Sequence, residues 1–409
     1  MKIVYLNPSG QIGGAEQSLL DLIAGVHAAE PAWELALITG SDGPLVARAR
    51  ELGVRTTVLE FPGALARLGD AAVGGPAGRS RSRASLLAGL GLAGAPTLAY
   101  ARRLRAVLRE HVPDLVHTNG FKMHILGAWA SAPGIPIVWH VHDYVRARPM
   151  MSRLMRMYAG RCAVAIANSD SVARDVREAC GPGLRVVRIY YAIDLAVFSC
   201  DGPALNLDAL AAMPRAEEGV VRVGLLATFA RWKGHEVFLR ALAALPAELP
   251  VRGYVIGGPI YRSEGSQYSI EELRAIAARL GVERRVGFTG LVDDPAGALR
   301  ALDVAVHAST EPEPFGRAIA EAMLCGRAVI AAAGGGASEI FSEGVDALAH
   351  PAGDASALAR RIAELAGDRE LRARLGAAGR RSAERRFSGA HQTMELLPIY
   401  GELSRSAAA

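Results

Sequence analysis

The sequence predicts an α/β protein made of two Rossmann-like, doubly wound halves facing one cleft. Three observations carry that expectation. Lys2–Leu6 alternates as a short buried strand, enters a glycine-containing turn (Gly13-Gly14-Ala15-Glu16) and continues as a helix over Gln17–Ala29. Strand, glycine turn and helix open a doubly wound sheet, whose ligands sit beyond the C-terminal ends of its strands. Val221–Ala227, a basic loop over Thr228–Gly234 and a helix over His235–Leu245 then restart the same pattern halfway along. At 409 residues, 51% of them hydrophobic, the chain is too long for one ordinary domain and can bury large cores.

Composition narrows the function classes. A net charge of +5 is mildly basic and favours anionic partners such as phosphorylated small molecules or acidic lipid headgroups. Aromatic residues are only 6%, and no helix-turn-helix, zinc-finger or stacking pattern occurs, which argues against nucleic acid. Cys162, Cys180, Cys200 and Cys325 lack metal-ligand spacing and read as reduced thiols of a cytosolic protein. The chain opens directly in a strand, without signal-peptide features, so a cytoplasmic location is expected. The longest uncharged run, Ala84–Ala101, is rich in Gly and Ala and broken by Pro96. It reads as a loop and helix start rather than a membrane span.

Along the first half, further strands are expected at Glu34–Ile38 and Thr56–Leu59, with a helix over Pro44–Leu52 between them. The opening glycines do not follow G-x-G-x-x-G, so the dinucleotide fingerprint is absent. Residues 62–97 break the rhythm. A glycine-rich run leads to Arg79, Arg81 and Arg83, and two readings stay open: contact with an anionic membrane surface, or a solvated insertion. A basic helix follows over Thr97–His111. Two strands then end in histidine, Asp114–Val116 at His117-Thr118-Asn119 and Ile135–Val141 at His142-Asp143. The Met- and Arg-rich segment Pro149–Ala159 reads as core filler or as a surface for a greasy acceptor. Strands Val164–Ala167 and Val186–Tyr190 lead to Tyr191-Ala192-Ile193-Asp194, and a Pro-, Gly- and Ala-rich linker runs from Phe198 to Glu218.

In the second half, Arg231 and Lys233 precede a helix N-terminus, an arrangement suited to neutralising a diphosphate without a metal. Val286–Gly290 reads as a short strand and turn, and Asp293-Asp294 as a helix cap rather than a metal site. The densest stretch is His307–Ile340. A strand ends at His307, and a loop carries Glu311 and Glu313. A helix opens near Gly316 and closes at Gly326. A buried strand and the glycines Gly334–Gly336 follow. Were the segment from Glu313 to Glu321 helical, the two carboxylates would stand ~12 Å apart along the axis. That is about the span from a sugar to a ribose, with first-turn amides between them suited to a diphosphate.

Glu313-Pro314-Phe315-Gly316, with Glu321 eight residues after the first Glu, resembles the hallmark of the retaining GT-B glycosyltransferases, specifically glycosyltransferase family four (group 1). The resemblance implies a GT-B fold: residues 1–195 an acceptor domain, 196–218 a linker, 219–386 a donor domain, and 387–409 a helix returning to the first domain. It implies transfer of a sugar from a UDP- or GDP-sugar to a hydroxyl, with anomeric configuration kept and neither metal nor cofactor required. Glu313 and His142 would hold the sugar, Phe315 and Gly316 would offer amides to its hydroxyls, and Glu321 would accept from the ribose. Lys233, with Arg231, and the Gly14 amide would face the diphosphate, while Gly287 and Phe288 would lie against the base. His117 and Asn119 fall on the acceptor side, where the acceptor could be lipid-linked. Two departures stand out. Thr228 occupies a position where the family often has Arg, and Tyr191-Ala192 replaces Asn-Gly, although Ala adopts positive φ less readily than Gly. The alternatives are a sugar-nucleotide-binding protein that has lost turnover, or a sugar-nucleotide epimerase of the same architecture.

Overall fold

Near-continuous runs of aliphatic residues, the pattern of strands buried on both faces, become thirteen parallel strands among the described residues of a computed structural model. The structure describes residues 1–63, 83–259 and 266–408, with the side chains of 83–93 and 406–408 excepted. Two units result, Met1–Ala192 with Gly389–Ala409, and Ile193–Ser388.

The first unit holds β1 (Lys2–Asn7), β2 (Glu34–Thr39), β3 (Arg55–Val58), β4 (Leu115–Asn119), β5 (Ile137–Val141), β6 (Val164–Ala167) and β7 (Val186–Arg188). Their order is β3-β2-β1-β4-β5-β6-β7, all parallel. The sheet therefore reverses direction of growth between β1 and β4, which is where such folds leave a crevice. The helix Gly14–Ala29 buries Leu19, Leu20, Leu22, Ile23 and Val26 in a core completed by Leu396, Ile399 and Tyr400 of the last helix, Gly389–Ala408. Tyr400 Oη meets His117 Nδ1 at 2.6 Å, and Gln392 Nε2 donates to the Tyr190 carbonyl at 3.0 Å. The chain's final segment is thus structurally part of its first unit.

The second unit repeats the plan with β8 (Val221–Leu226), β9 (Val251–Ile256), β10 (Val286–Gly290), β11 (Val304–His307), β12 (Ala328–Ala333) and β13 (Leu348–Pro351). Their order is β10-β9-β8-β11-β12-β13, again all parallel, with the reversal between β8 and β11. Phe229, Phe238, Leu239, Leu242, Val255, Leu358 and Ile362 are among the buried residues of its core.

Two expectations change. The helix expected from Thr97 begins instead at Arg83 and runs through Pro96 to His111, so the apolar run is helical rather than a loop. No helix among the described residues is long and apolar enough to cross a membrane. Arg79, Arg81 and the side chain of Arg83 lie outside the described residues, and so does the membrane reading placed on them. Residues 196–218, expected as a linker, belong to the second unit. The reason is Asp208, 3% exposed on the short helix Leu207–Leu210. Its carboxylate accepts from Arg252 at 2.7 Å, Tyr254 Oη at 2.5 Å and the Ala216 amide at 2.9 Å, with Arg222 at 3.4 Å. Burial alone would raise the Asp208 carboxyl, but these donors hold it well below the usual carboxylate range. The buried Tyr254 hydroxyl and the half-buried Arg252 would lose their acceptor, so Asp208→Ala should destabilise the second unit by roughly 2 kcal/mol in denaturant unfolding. A loss below about 0.5 kcal/mol, the scale of a surface substitution, would show the segment to be a passive tether.

Candidate functional site

In the second unit, the loops leaving β8 and β11 meet at the reversal of the sheet. Gly234 has φ +76°, and any side chain there would overlap the Ala308 carbonyl, so only glycine lets the two loops touch. That approach brings Lys233 onto Glu313, with Nζ at 3.0 Å from Oε1 and 2.7 Å from Oε2. Ser309 Oγ donates to Glu313 Oε2 at 2.9 Å, and His307 Nε2 lies 3.2 Å from the same oxygen and 3.0 Å from Ser309 Oγ. Glu313 is 8% exposed. Burial would raise its carboxyl, but Lys233 and His307 hold it well below the usual range, so it is ionised.

Behind the carboxylate, the Gly336 amide donates to the Glu313 carbonyl at 2.7 Å, and the Gly334 amide donates to Ser338 Oγ at 2.7 Å. The glycine triplet therefore clamps the acidic loop. Phe315 is buried edge-on to Phe387, with ring centroids 5.7 Å apart. Gly316, at φ +100°, turns the chain into the helix Arg317–Leu324 without a side-chain cap, leaving first-turn amides that intrahelical bonds do not use. Glu321 lies on this helix, 9% exposed, and accepts from Arg317 Nε at 3.0 Å.

Other residues expected here are placed differently. Arg231 pairs with Glu272 at 2.8 Å and lies 4.4 Å from the centre of the Tyr268 ring. Thr228 is half-buried beyond the end of β8. Gly287 faces Ala211 and Met213, where a side chain would collide with both, and Phe288 is buried in the core. Asp294 caps the helix Pro295–Arg300 by accepting from the Gly297 amide at 2.8 Å, as expected of a cap.

In the first unit, the reversal between β1 and β4 is bridged by neutral side chains. Asn119 Nδ2 donates to Asn7 Oδ1 at 2.6 Å, and Asn7 Nδ2 donates to the Ser9 carbonyl at 2.6 Å. Asn119 Oδ1 in turn meets His142 Nε2, and Tyr191 Oη meets His142 Nδ1 at 2.6 Å. Asn168 Nδ2 donates to Tyr191 Oη at 2.7 Å and to the His142 carbonyl at 3.1 Å. Burial, and then the neighbouring rings of His140, His124 and His117, push His142 well below the ordinary histidine range, so it is neutral. His117 is 0% exposed and bonded to Tyr400; this enclosure gives it a structural partner rather than a face for an acceptor. Gly14 opens its helix, and a side chain there would meet nothing within 4 Å.

Sequence reading passed over His307, Ser309, Asn7 and Asn168, and met Tyr191 only as a departure. The available signals were positional: Asn7 and Asn168 each end or follow a strand, and Ser309 stands two residues past β11. Ala192 is not among the positive-φ residues, so replacing Gly there imposes no left-handed backbone.

Two doubly wound units, each with a polar pair spanning the point where its sheet reverses, define a GT-B protein. The descriptive family model for group 1 glycosyl transferases matches residues 214–382, and that for glycosyltransferase family 4 matches residues 12–197. The D-inositol 3-phosphate glycosyltransferase of Xylanimonas cellulosilytica is 32% identical over 71% of this chain and 72% of its own length. The N-acetyl-alpha-D-glucosaminyl L-malate synthase of Bacillus anthracis is 24% identical over 75% of this chain and 80% of that protein. The crystal structure of Anabaena HepE in complex with UDP superposes with a TM-score of 0.78 at 26% identity, covering 98% of this chain and 100% of that one. The chain belongs to the family 4, group 1 glycosyltransferases.

Because the Glu313 carboxyl is depressed in the folded state, the unfolded chain binds more protons as pH falls, and the stability it contributes is lost towards acid. Glu313→Gln should therefore lower unfolding stability at pH 7 by about 2 kcal/mol, since Lys233 loses its partner. It should also flatten the wild-type decline in stability below about pH 4.5, the ordinary value of the group. Parallel curves for the two proteins between pH 3 and 7 would overturn the assigned charge state.

Proposed function

We propose that this protein transfers a glycosyl group from a UDP-sugar to a hydroxyl acceptor and keeps the anomeric configuration. The observation that carries the reading is the Lys233–Glu313 pair beside the Gly316 helix mouth, with Glu321 on the same helix. The helix N-terminus offers partial positive charge to a diphosphate, and Lys233, shared with Glu313, offers an ammonium donor beside it. The solved complexes of HepE with UDP and with UDP-glucose favour a UDP-sugar over a GDP-sugar.

In this reading Glu321 accepts from the ribose hydroxyls, and the amides at Phe315 and Gly316 bind the sugar beside Glu313. As the bond from the anomeric carbon to the diphosphate oxygen lengthens, negative charge grows on the leaving group. Lys233 and the helix mouth oppose that charge, with no metal called for. Preorganised groups of this kind commonly supply the largest part of a rate enhancement. The acceptor oxygen attacks the face the diphosphate leaves, and its proton passes to the departing phosphate oxygen. Retention through a covalent Glu313 intermediate is disfavoured, because a carboxylate held by Lys233, Ser309 and His307 is a weak nucleophile. Glu313 is better suited to orienting Lys233 and the sugar.

One observation keeps binding without turnover as a second reading: Arg231, the expected second cation, is engaged with Glu272. Incubation with UDP-glucose separates the two. Slow release of UDP indicates a transferase, and saturable binding without UDP release indicates a binding protein. Glu321→Ala should weaken UDP affinity about 100-fold in calorimetry, in protein that melting shows to be folded at the assay temperature although Arg317 has lost its partner, the scale of removing charged hydrogen bonds to a buried ligand. Unaltered affinity would remove the ribose assignment.

A further inference from the structure

The first sheet opens its crevice at the C-terminal ends of its strands, past Asn7 and Asn119. At the opposite edge, where β4, β5 and β6 begin, a cavity of about 420 Å³ lies beside the last turns of the helices Arg83–His111 and Phe121–Ala130. Arg105 and Arg109 line it from the first helix, Arg161 from the turn before β6, and Trp129 and Ser131 from the end of the second helix. None of the lining residues is acidic, and none belongs to the second unit.

Part of this arrangement has a plain structural account. Arg105 donates to the Trp129 carbonyl, and Arg161 Nη2 donates to the carbonyls of Ser131 at 3.1 Å and Ala132 at 3.4 Å. Both thus satisfy carbonyls that a helix C-terminus leaves open. Two residues fall outside that account. Arg109, one turn from Arg105 on the same helix face, makes no hydrogen bond or ion pair among the described residues, and like charges at this spacing repel. Ser131 is 4% exposed, and its hydroxyl finds no partner among the described residues, although a buried hydroxyl normally has one. A cation without a carboxylate and a buried hydroxyl without a partner, lining one cavity, both suit a ligand rich in acceptor oxygens. Trp129, half-buried and edge-on to Tyr158 with ring centroids 5.9 Å apart, adds a flat apolar wall.

We infer that this cavity binds a phosphomonoester, in addition to the glycosyl transfer proposed above and at residues that transfer does not use. A monoester carries close to two negative charges near neutral pH and three terminal oxygens, enough to engage three guanidinium groups. A carboxylate or a phosphodiester offers one charge and two such oxygens. The cavity has room for the phosphoryl group and part of the molecule that bears it. A soluble phosphate ester and the headgroup of phosphatidic acid share this chemistry. At the edge of the sheet away from its crevice, such a ligand acts as an effector or an anchor rather than as a reactant.

The test titrates the full chain by calorimetry with glycerol 3-phosphate and, as the diester control, glycerol 3-phosphocholine. In parallel, the protein is sedimented with phosphatidylcholine vesicles with and without phosphatidic acid. Glycerol 3-phosphate should bind with a Kd below about 1 mM, at least about 10-fold more tightly than the diester. Arg109→Gln, which removes no internal bond, should weaken that binding by about 10-fold or more, the scale of one charged hydrogen bond, and Ser131→Ala by about 5-fold. UDP affinity should stay the same in both variants. If the monoester lipid captures the wild type but not Arg109→Gln, the headgroup is the source; soluble binding without capture assigns a small phosphate ester. Wild-type protein that binds neither form, or binds monoester and diester alike, overturns the inference whatever the variants do. Wild-type affinity for glycerol 3-phosphate in Arg109→Gln overturns it as well, because the ester would then be seated elsewhere.

Discussion

The ion pair between Lys233 and Glu313 is the contact on which the candidate site of the second unit depends. It exists because a parallel sheet that grows outward from its first strand in both directions must part its loops at the reversal. β8 and β11 deliver one partner each, and Gly234 removes the side chain that would keep them apart. Ser309 and His307 then satisfy the carboxylate from below, and the Gly336 amide fixes the backbone that carries it. A lysine so tethered loses its wandering before any ligand arrives, which reduces the entropy cost of engaging one.

The first unit solves the same topological problem with neutral groups. Asn7 and Asn119 span its reversal, and the bond between them is continued through His142 and Tyr191 to Asn168. An ionic crossing supplies field, and an amide crossing supplies direction. Each polar group in such a relay constrains the next, so its value lies in orientation more than in strength. The buried rings of His117, His124 and His140 surround it, kept neutral mainly by burial, with His124 and His140 pushed down to about 3.

Much of this was legible in the chain. Both openings, at Lys2 and Val221, announced a doubly wound sheet because a buried strand, a glycine turn and a helix can hardly be arranged otherwise. Glu313, Gly316 and Glu321 were legible because two carboxylates bracketing Pro-Phe-Gly form a local pattern. What escaped depends on distance in sequence. Asp208 looked like part of a tether until Arg252 and Tyr254, far along the chain, were seen to receive it. Arg231 looked like a second phosphate ligand, but Glu272 on another helix takes it. Tyr191 looked like a defect because nothing adjacent shows that His142 and Asn168 converge on its hydroxyl. Local periodicity carries elements and short-range sites; pairings across tens of residues must be seen.

The last helix, Gly389–Ala408, seats Leu396, Ile399 and Tyr400 in the core of a unit whose other residues end at Ala192. During synthesis that core waits with an open flank while nearly two hundred intervening residues emerge. The later-encoded unit is contiguous and is complete in the nascent chain first, reversing the usual order in which domains mature on the ribosome. A stop codon that removes only the final twenty residues would thus strike the beginning of the protein rather than its end, exposing the apolar face of Gly14–Ala29 and depriving His117 of its phenol.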